Sequence, residues 1–192
     1  TILDYQTDTQ QAAIFIDSVL QISDQLSLVL GGRYDDIEFD RYDLAIGGSP
    51  ASSFDADFSE FTWRAGLVYQ PTEQMSIYAQ MSTAADPVTS PISISSGNKD
   101  FDLATGRQYE IGLKQQLLQG RAEYTLAYFD IEKEDILTRL PASTITEQIG
   151  QQSSDGIEFT LRVNPTDSLS IDFNAASIDA EFDEFYSGGI SL

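Results

Sequence analysis

Phe61-Thr62-Trp63-Arg64-Ala65-Gly66-Leu67-Val68-Tyr69-Gln70 is the stretch whose reading decides the fold. Its odd positions are all apolar or aromatic, with rings at both ends and Ala65 and Leu67 between them. Its even positions carry Thr62, Arg64, Gly66, Val68 and Gln70. A repeat of two residues is the signature of an extended strand whose faces meet different surroundings. Rings flanking an aliphatic centre on one face are what two interfacial belts around a hydrocarbon layer require. An arginine at mid-strand on the opposite face would be costly in a dry core unless paired, and is ordinary in a wet or plugged lumen.

The same alternation recurs on either side. Leu26, Leu28, Leu30, Gly32 and Tyr34 oppose Ser27, Val29, Gly31, Arg33 and Asp35. Ile157, Phe159, Leu161 and Val163 oppose Glu158, Thr160 and Arg162, and Leu169, Ile171 and Phe173 oppose Ser170, Asp172 and Asn174. Eight segments read as strands, over residues 11–22, 26–39, 59–70, 75–83, 107–118, 121–137, 150–163 and 168–182. They are longer than most strands of soluble proteins and match the roughly 9–11 residues a tilted strand needs to cross a bilayer. Tight polar turns at Ser23-Asp24-Gln25, Pro71-Thr72-Glu73-Gln74, Gln119-Gly120 and Asn164-Pro165-Thr166-Asp167 alternate with long polar connections. From Asp24 to Glu73 to Gly120 to Asp167 the steps are 49, 47 and 47 residues. Short turns at one end and long loops at the other are the habit of outer-membrane barrels. Pro50, Pro71, Pro87, Pro91, Pro141 and Pro165 all fall in the expected turns or loops, where a missing amide donor disturbs no ladder. The loops near 40–58, 84–105 and 138–149 read as extracellular excursions within one domain. The expected fold is all-β: an antiparallel up-and-down meander of about eight long strands, part of a larger transmembrane β-barrel.

Composition narrows the function classes. Cysteine and histidine are absent, which removes disulfides, thiolate zinc sites, cysteine nucleophiles and Ser-His-Asp chemistry. With 31 acids against 10 bases the net charge is −21, which argues against nucleic acid as a partner and against an anionic cytoplasmic leaflet. Eight of the acids lie between Asp35 and Glu60 with one base, Arg41. They read as a solvated loop or, more sharply, as a carboxylate surface that divalent cations bridge. No spacing points to a dedicated metal site. The longest uninterrupted apolar run, Ala12 to Ile16, is far short of the ~20 residues of a membrane helix. Thr1 is preceded by no leader, so any signal peptide is expected outside this chain.

Several motifs then carry a resemblance. Gly31-Gly32-Arg33-Tyr34-Asp35, closing a strand that starts at Leu26, resembles the Gly-x-Arg-Tyr-Asp strand of TonB-dependent outer-membrane receptors. Trp63 to Ala79, through Tyr69-Gln70-Pro71-Thr72 and Ser76-Ile77-Tyr78-Ala79, resembles the hairpin that follows it. Gly106-Arg107-Gln108-Tyr109-Glu110-Ile111-Gly112-Leu113-Lys114 is similar to the family's Tyr-Glu-x-Gly-x-Lys strand, and Ala127-Tyr128-Phe129-Asp130-Ile131 to its partner. Gly150 to Glu158 looks like the entry to the next hairpin, with Asp155-Gly156-Ile157-Glu158 where Arg-Gly-x-Glu is usual. These motifs stand in the family's order, and the resemblance covers nearly all of residues 1–192. Family barrels have roughly 22 strands, so the expectation is a partial barrel domain from its later half, without the plug domain, the TonB box and the terminal strands.

The resemblance implies outer-membrane uptake of a scarce nutrient, a ferric siderophore above all, with TonB acting through the missing plug and outer-membrane lipid around the wall. It implies no enzyme, catalytic residue, cofactor or resident metal. Anionic ferric complexes would seek cations and rings near the outer rim. Arg33, Arg64 and Arg107 are expected on lumen-facing, loop-proximal positions, and Tyr42, Phe54 and Phe101 in the loops. The bland alternative is that the arginines pair with barrel or plug carboxylates. Tyr34, Trp63, Tyr69 and Tyr109 read as girdle residues. Readings from other classes are a passive or structural outer-membrane barrel, such as a porin or small anchor, and a soluble β-sandwich that binds through its acidic loops.

Overall fold

The structure, a computed structural model, describes residues 5–43, 52–86, 102–139, 146–184, 186–187 and 190–191. Eight strands run in chain order: β1 Tyr5–Ser23, β2 Leu26–Asp43, β3 Ser52–Thr72, β4 Met75–Ala85, β5 Thr105–Leu117, β6 Ala122–Arg139, β7 Thr146–Thr166 and β8 Leu169–Glu184. Each pairs antiparallel with the next, giving one sheet in the order β1 to β8. A separate two-residue ladder joins β9 Tyr186–Ser187 to β10 Ile190–Ser191. A sandwich needs a second sheet packed on the first; the described residues form a single-layered meander, as the alternation predicts.

The register fixes which residues share a face, because directly paired residues point the same way. Leu20, Leu28, Leu67, Ala79, Ile111, Tyr128, Ile157 and Ser177 form one continuous row across all eight strands. Leu67, Ile111 and Ile157 in that row are 49%, 54% and 51% exposed, so none of the described residues covers this face. An uncovered apolar band of this extent requires hydrocarbon as its solvent. On the same face Tyr34, Phe61, Trp63 and Tyr109 lie toward its outer edge, and Tyr69 and Tyr124 toward the turns. On the opposite face one residue along lie Val19, Val29, Gly66, Gln80, Glu110, Phe129, Gly156 and Ile178.

The inner turns are tied together in a repeating way. Gln70 donates its amide to the Gln25 carbonyl at 2.7 Å, Gln116 to Gln74 at 2.8 Å and Asn164 to Arg121 at 2.7 Å. Each turn is thereby held by the strand that opens or closes the next hairpin. Pro71 and Pro165 lie inside β3 and β7 rather than in the turns, one residue before each strand ends. Both sit where the register shifts at a bulge, so their missing N–H leaves no rung empty. The β5–β6 turn is the tight exception: Leu118, Gln119 and Gly120 have φ of +53°, +58° and +84°.

The outer ends differ from the sequence reading. The β2–β3 ladder continues past Tyr34↔Phe61 to Asp43↔Ser52, so most of the segment expected as a loop over 40–58 is strand. β1 likewise begins at Tyr5 and β7 at Thr146. The physical reason is one-sided. Asp36, Glu38, Asp55 and Asp57 on one face look loop-like, but Ile37, Phe39, Phe54, Ala56 and Phe58 on the other pack into a buried cluster capped by Leu103. Tyr42 and Phe54 are therefore strand residues, a correction to their expected place in loops.

The β3–β4 ladder, by contrast, stops early. Its last outer rung is Arg64↔Ser82, although both strands run on. Among the described residues, a bond from the Trp63 amide to Thr83 Oγ1, 3.0 Å, crosses beyond it. Above that point the wall has a seam.

Candidate functional site, the inward wall

The inward face at the outer end of β1, β2 and β3 is built on paired charges. Arg33 forms a two-pronged bridge to Asp35, Nε to Oδ2 at 2.6 Å and Nη2 to Oδ1 at 2.7 Å. Gln11 Nε2 adds a third donor to the same carboxylate at 2.8 Å. Arg64, one strand further, points its Nε (3.0 Å) and Nη2 (2.7 Å) at Asp17 Oδ1. It reaches β1 by lying across Gly31, which stands between Arg64 and Asp17 in the register. A Cβ at Gly31 would be 2.4 Å from Asp17 Oδ1 and 2.9 Å from Arg64 Cγ. Phe15, Asp17, Gly31, Arg33, Thr62, Arg64 and Ser82 border a concavity of about 380 Å³. A neighbouring one of about 300 Å³ adds Gln11, Asp35, Glu60 and Leu103.

Pairing extends along the wall. Lys114 meets Glu123 at 3.0 Å, Arg162 meets Asp172 at 2.6 Å, and Lys133 is joined to Asp86. Glu110 is held differently, by neutral donors: Tyr78 Oη at 2.6 Å, Gln108 Nε2 at 3.0 Å and Gln80 Nε2 at 3.2 Å. The Tyr78 ring lies over Gly112 to make this contact. Among the described residues no cation pairs with Glu110 or Glu158.

Of the expected ligand contacts, Arg33 and Arg64 come together on one concavity, and Phe54 faces inward but is buried in the outer apolar cluster. Arg107 is a correction. Its register partners are Thr83 and Glu132, which places it on the Tyr109 face, outward rather than lumen-facing. Tyr42 pairs with Gln6 and Ser53 and also points outward. Phe101 lies outside the described residues. Arg33, Arg64 and Arg107 are all ion-paired with wall carboxylates.

Arg107 and Glu132 sit beyond the aromatic belt, outside the membrane-spanning part of β5 and β6. There the Arg107 guanidinium holds the Glu132 carboxyl below the usual range, while Glu134, hydrogen-bonded to Glu132, is held above it. Asp135, next along, sits at a bulge with φ of +60°. Among the described residues no acidic group is arranged to hold a metal ion.

The sequence reading missed Asp17, Tyr78 and the glycines beneath Arg64 and Tyr78. The available signal was a glycine on the polar face of one strand with a long side chain expected on the adjoining strand.

A second described element leans over this wall. Gln148 of β7 both accepts from the Asp102 amide (3.1 Å) and donates to the Asp102 carbonyl (2.7 Å). Leu103 meanwhile packs into the β2–β3 cluster, so residues 102–103 bridge two outer hairpins.

Known proteins share this fold. The family described as TonB dependent receptor-like, beta-barrel, matches residues 1–190. A probable TonB-dependent siderophore receptor, PiuA of Acinetobacter baumannii, is 26% identical over 185 residues, 93% of this chain and 25% of its own length. The metal-pseudopaline receptor CntO of Pseudomonas aeruginosa is 30% identical over 177 residues, 88% of this chain and 24% of its own. The crystal structure of PiuA superposes with a TM-score of 0.89 at 25% identity, covering 98% of this chain and 28% of that one. The ferric-catecholate import receptor Fiu of E. coli shares the fold at a TM-score of 0.84 and 22% identity, over 97% of this chain and 30% of its own. The chain spans about a quarter of the length of the curated relatives it matches.

Proposed function

The chain belongs to the TonB-dependent receptor-like β-barrel family, and from that premise we propose that it is part of the wall of an outer-membrane receptor that imports a ferric siderophore under TonB control. The family is one of transport receptors, and its barrels reside in the outer membrane of Gram-negative bacteria. The single observation that supports an energised receptor over a passive pore is the inward face. A porin wall conducts through open water, whereas here Glu110 is pre-set by three neutral donors, and among the described residues neither it nor Glu158 on the same face has a cation partner. Buried beneath a protein plug, such carboxylates require a positive partner. A plug domain carrying cations at that height would supply it, and the coupling to TonB would run through that plug.

In this reading Arg33 and Arg64 line the path a ligand takes from the outer rim, with Phe54 behind them as support for the β2–β3 hairpin. Arg107, Tyr42 and the acids beside them face the headgroup region instead. The test is iron uptake by the full-length receptor in cells that lack other receptors. Uptake of a ferric siderophore that stops when TonB is deleted is the expected result. Leakage of small solutes regardless of TonB would establish a passive barrel.

A further inference from the structure

We propose that the ferric complex accepted by this wall is neutral or cationic, and that Asp17 and Asp35 set that preference. The inference rests on the uptake reading above. Its first support is geometric: the two guanidiniums that border the inward concavity of about 380 Å³ at the outer end are already ion-paired. Arg33 is gripped by both oxygens of Asp35, and Arg64 directs two nitrogens at Asp17. Asp35 is itself fixed by Gln11, so the pair is locked from two sides.

The second support is the local charge count. Glu60 is the register partner of Asp35 and borders the adjoining concavity with Arg33. Among the described residues that border the two concavities, three carboxylates, Asp17, Asp35 and Glu60, thus accompany two guanidiniums, and this stretch of wall is net negative. An anionic ligand would enter beside these carboxylates and compete with Asp17 and Asp35 for their arginines. Charges of like sign brought together at an interface weaken binding of the wrong partner and so confer specificity. The third support is the surface offered beside the pairs. Phe15, the register partner of Arg33, presents its ring to the same concavity and is 68% exposed. A ring face attracts cations and apolar groups and repels anions.

The chemistry separates two classes of ferric chelate. Three hydroxamates, one negative charge apiece, neutralise ferric iron, and a pendant ammonium makes the complex cationic. Three catecholates leave it trianionic.

The experiment uses the full-length receptor in detergent, with binding of a linear ferric trishydroxamate bearing one free ammonium and of a ferric tricatecholate followed by calorimetry. The wild type is expected to bind the trishydroxamate at least about tenfold more tightly. The Asp17→Asn/Asp35→Asn double variant frees both arginines, and the ratio is expected to shift about tenfold toward the tricatecholate. Asp35→Glu, which keeps the charge, should retain the wild-type ratio. Tighter binding of the tricatecholate by the wild type, or an unchanged ratio in the double variant, overturns the proposal while leaving the uptake reading intact. Should the double variant not fold, the wild-type ratio decides alone, and it must also fall as salt screens the wall. Failure of every ferric complex to bind overturns the uptake reading and this inference with it.

Discussion

Tyr78 lies flat on Gly112: a Cβ built on that glycine would stand 2.4 Å from Tyr78 Cζ and 2.5 Å from its Oη. The glycine is what lets the phenol reach sideways to Glu110. Gly112→Ala is therefore expected to dislodge the ring and lower stability by about 1–3 kcal/mol. In a Tyr78→Ala background the same substitution should cost far less, since the ring it meets is gone. Urea unfolding of the full-length receptor in lipid measures both; equal costs in the two backgrounds would refute the contact.

Three inward glycines should rank by what their methyl would strike. At Gly156 it meets the Ser177 carbonyl oxygen at 2.6 Å and the Phe129 ring at 2.9 Å. Backbone cannot step aside, so Gly156→Ala is expected to be the most damaging. At Gly31 it meets Asp17 and Arg64 side chains, whose exposed pair is worth only about 0–1 kcal/mol, so Gly31→Ala should be the mildest. The order of unfolding midpoints tests the ranking.

The Leu118 backbone has a positive φ of 53° in the β5–β6 turn. Left-handed conformation costs an ordinary L-residue about 1–2 kcal/mol, and glycine escapes it. Leu118→Gly is expected to raise stability by up to about 1 kcal/mol after glycine's greater freedom in the unfolded chain is subtracted. A lowered unfolding midpoint would show that the exposed leucine holds something the turn needs.

Neighbouring residues of β3 should respond oppositely to charge. Leu67 lies on the apolar band, and an arginine there is expected to cost about 2–4 kcal/mol. Val68 points inward beside Ser27 and Tyr78, where Val68→Arg should be tolerated within about 1 kcal/mol. Insertion and folding into vesicles, scored by heat-modifiable gel migration, separates the two.

Gln148 satisfies both backbone groups of Asp102. Gln148→Ala is expected to speed hydrogen exchange at the Asp102 amide at least about tenfold, leaving exchange in the membrane-spanning strands unchanged. Unaltered exchange at Asp102 would mean that other contacts hold the bridge.

The membrane-spanning part of the wall was legible because its two faces meet different solvents. Residues 61–69 and 26–34 announce themselves by period, and the structure keeps that phase across every strand. The outer hairpin was read short because period was weighed against loop-like composition. Asp55, Asp57 and Ser59 outweighed Phe54, Ala56 and Phe58, which interleave with them and form the buried cluster. Arg107 was misplaced for the converse reason. Its charge suggested the lumen, while its parity with Tyr109 and Ile111 puts it outside. Cross-strand pairs such as Arg64 with Asp17 depend on register over three strands, which a pattern of single residues does not contain.

The three bonds that join Gln25 to Gln70, Gln74 to Gln116 and Arg121 to Asn164 work like a running stitch along a hem. Each stitch spans one hairpin and asks only that the following hairpin present an amide at the same place. A whole repeat of about 47 residues could be copied or deleted and the cut edges would still match, donor for acceptor. Circumference is thus a free variable of this architecture, changed one hairpin at a time without re-inventing the fabric.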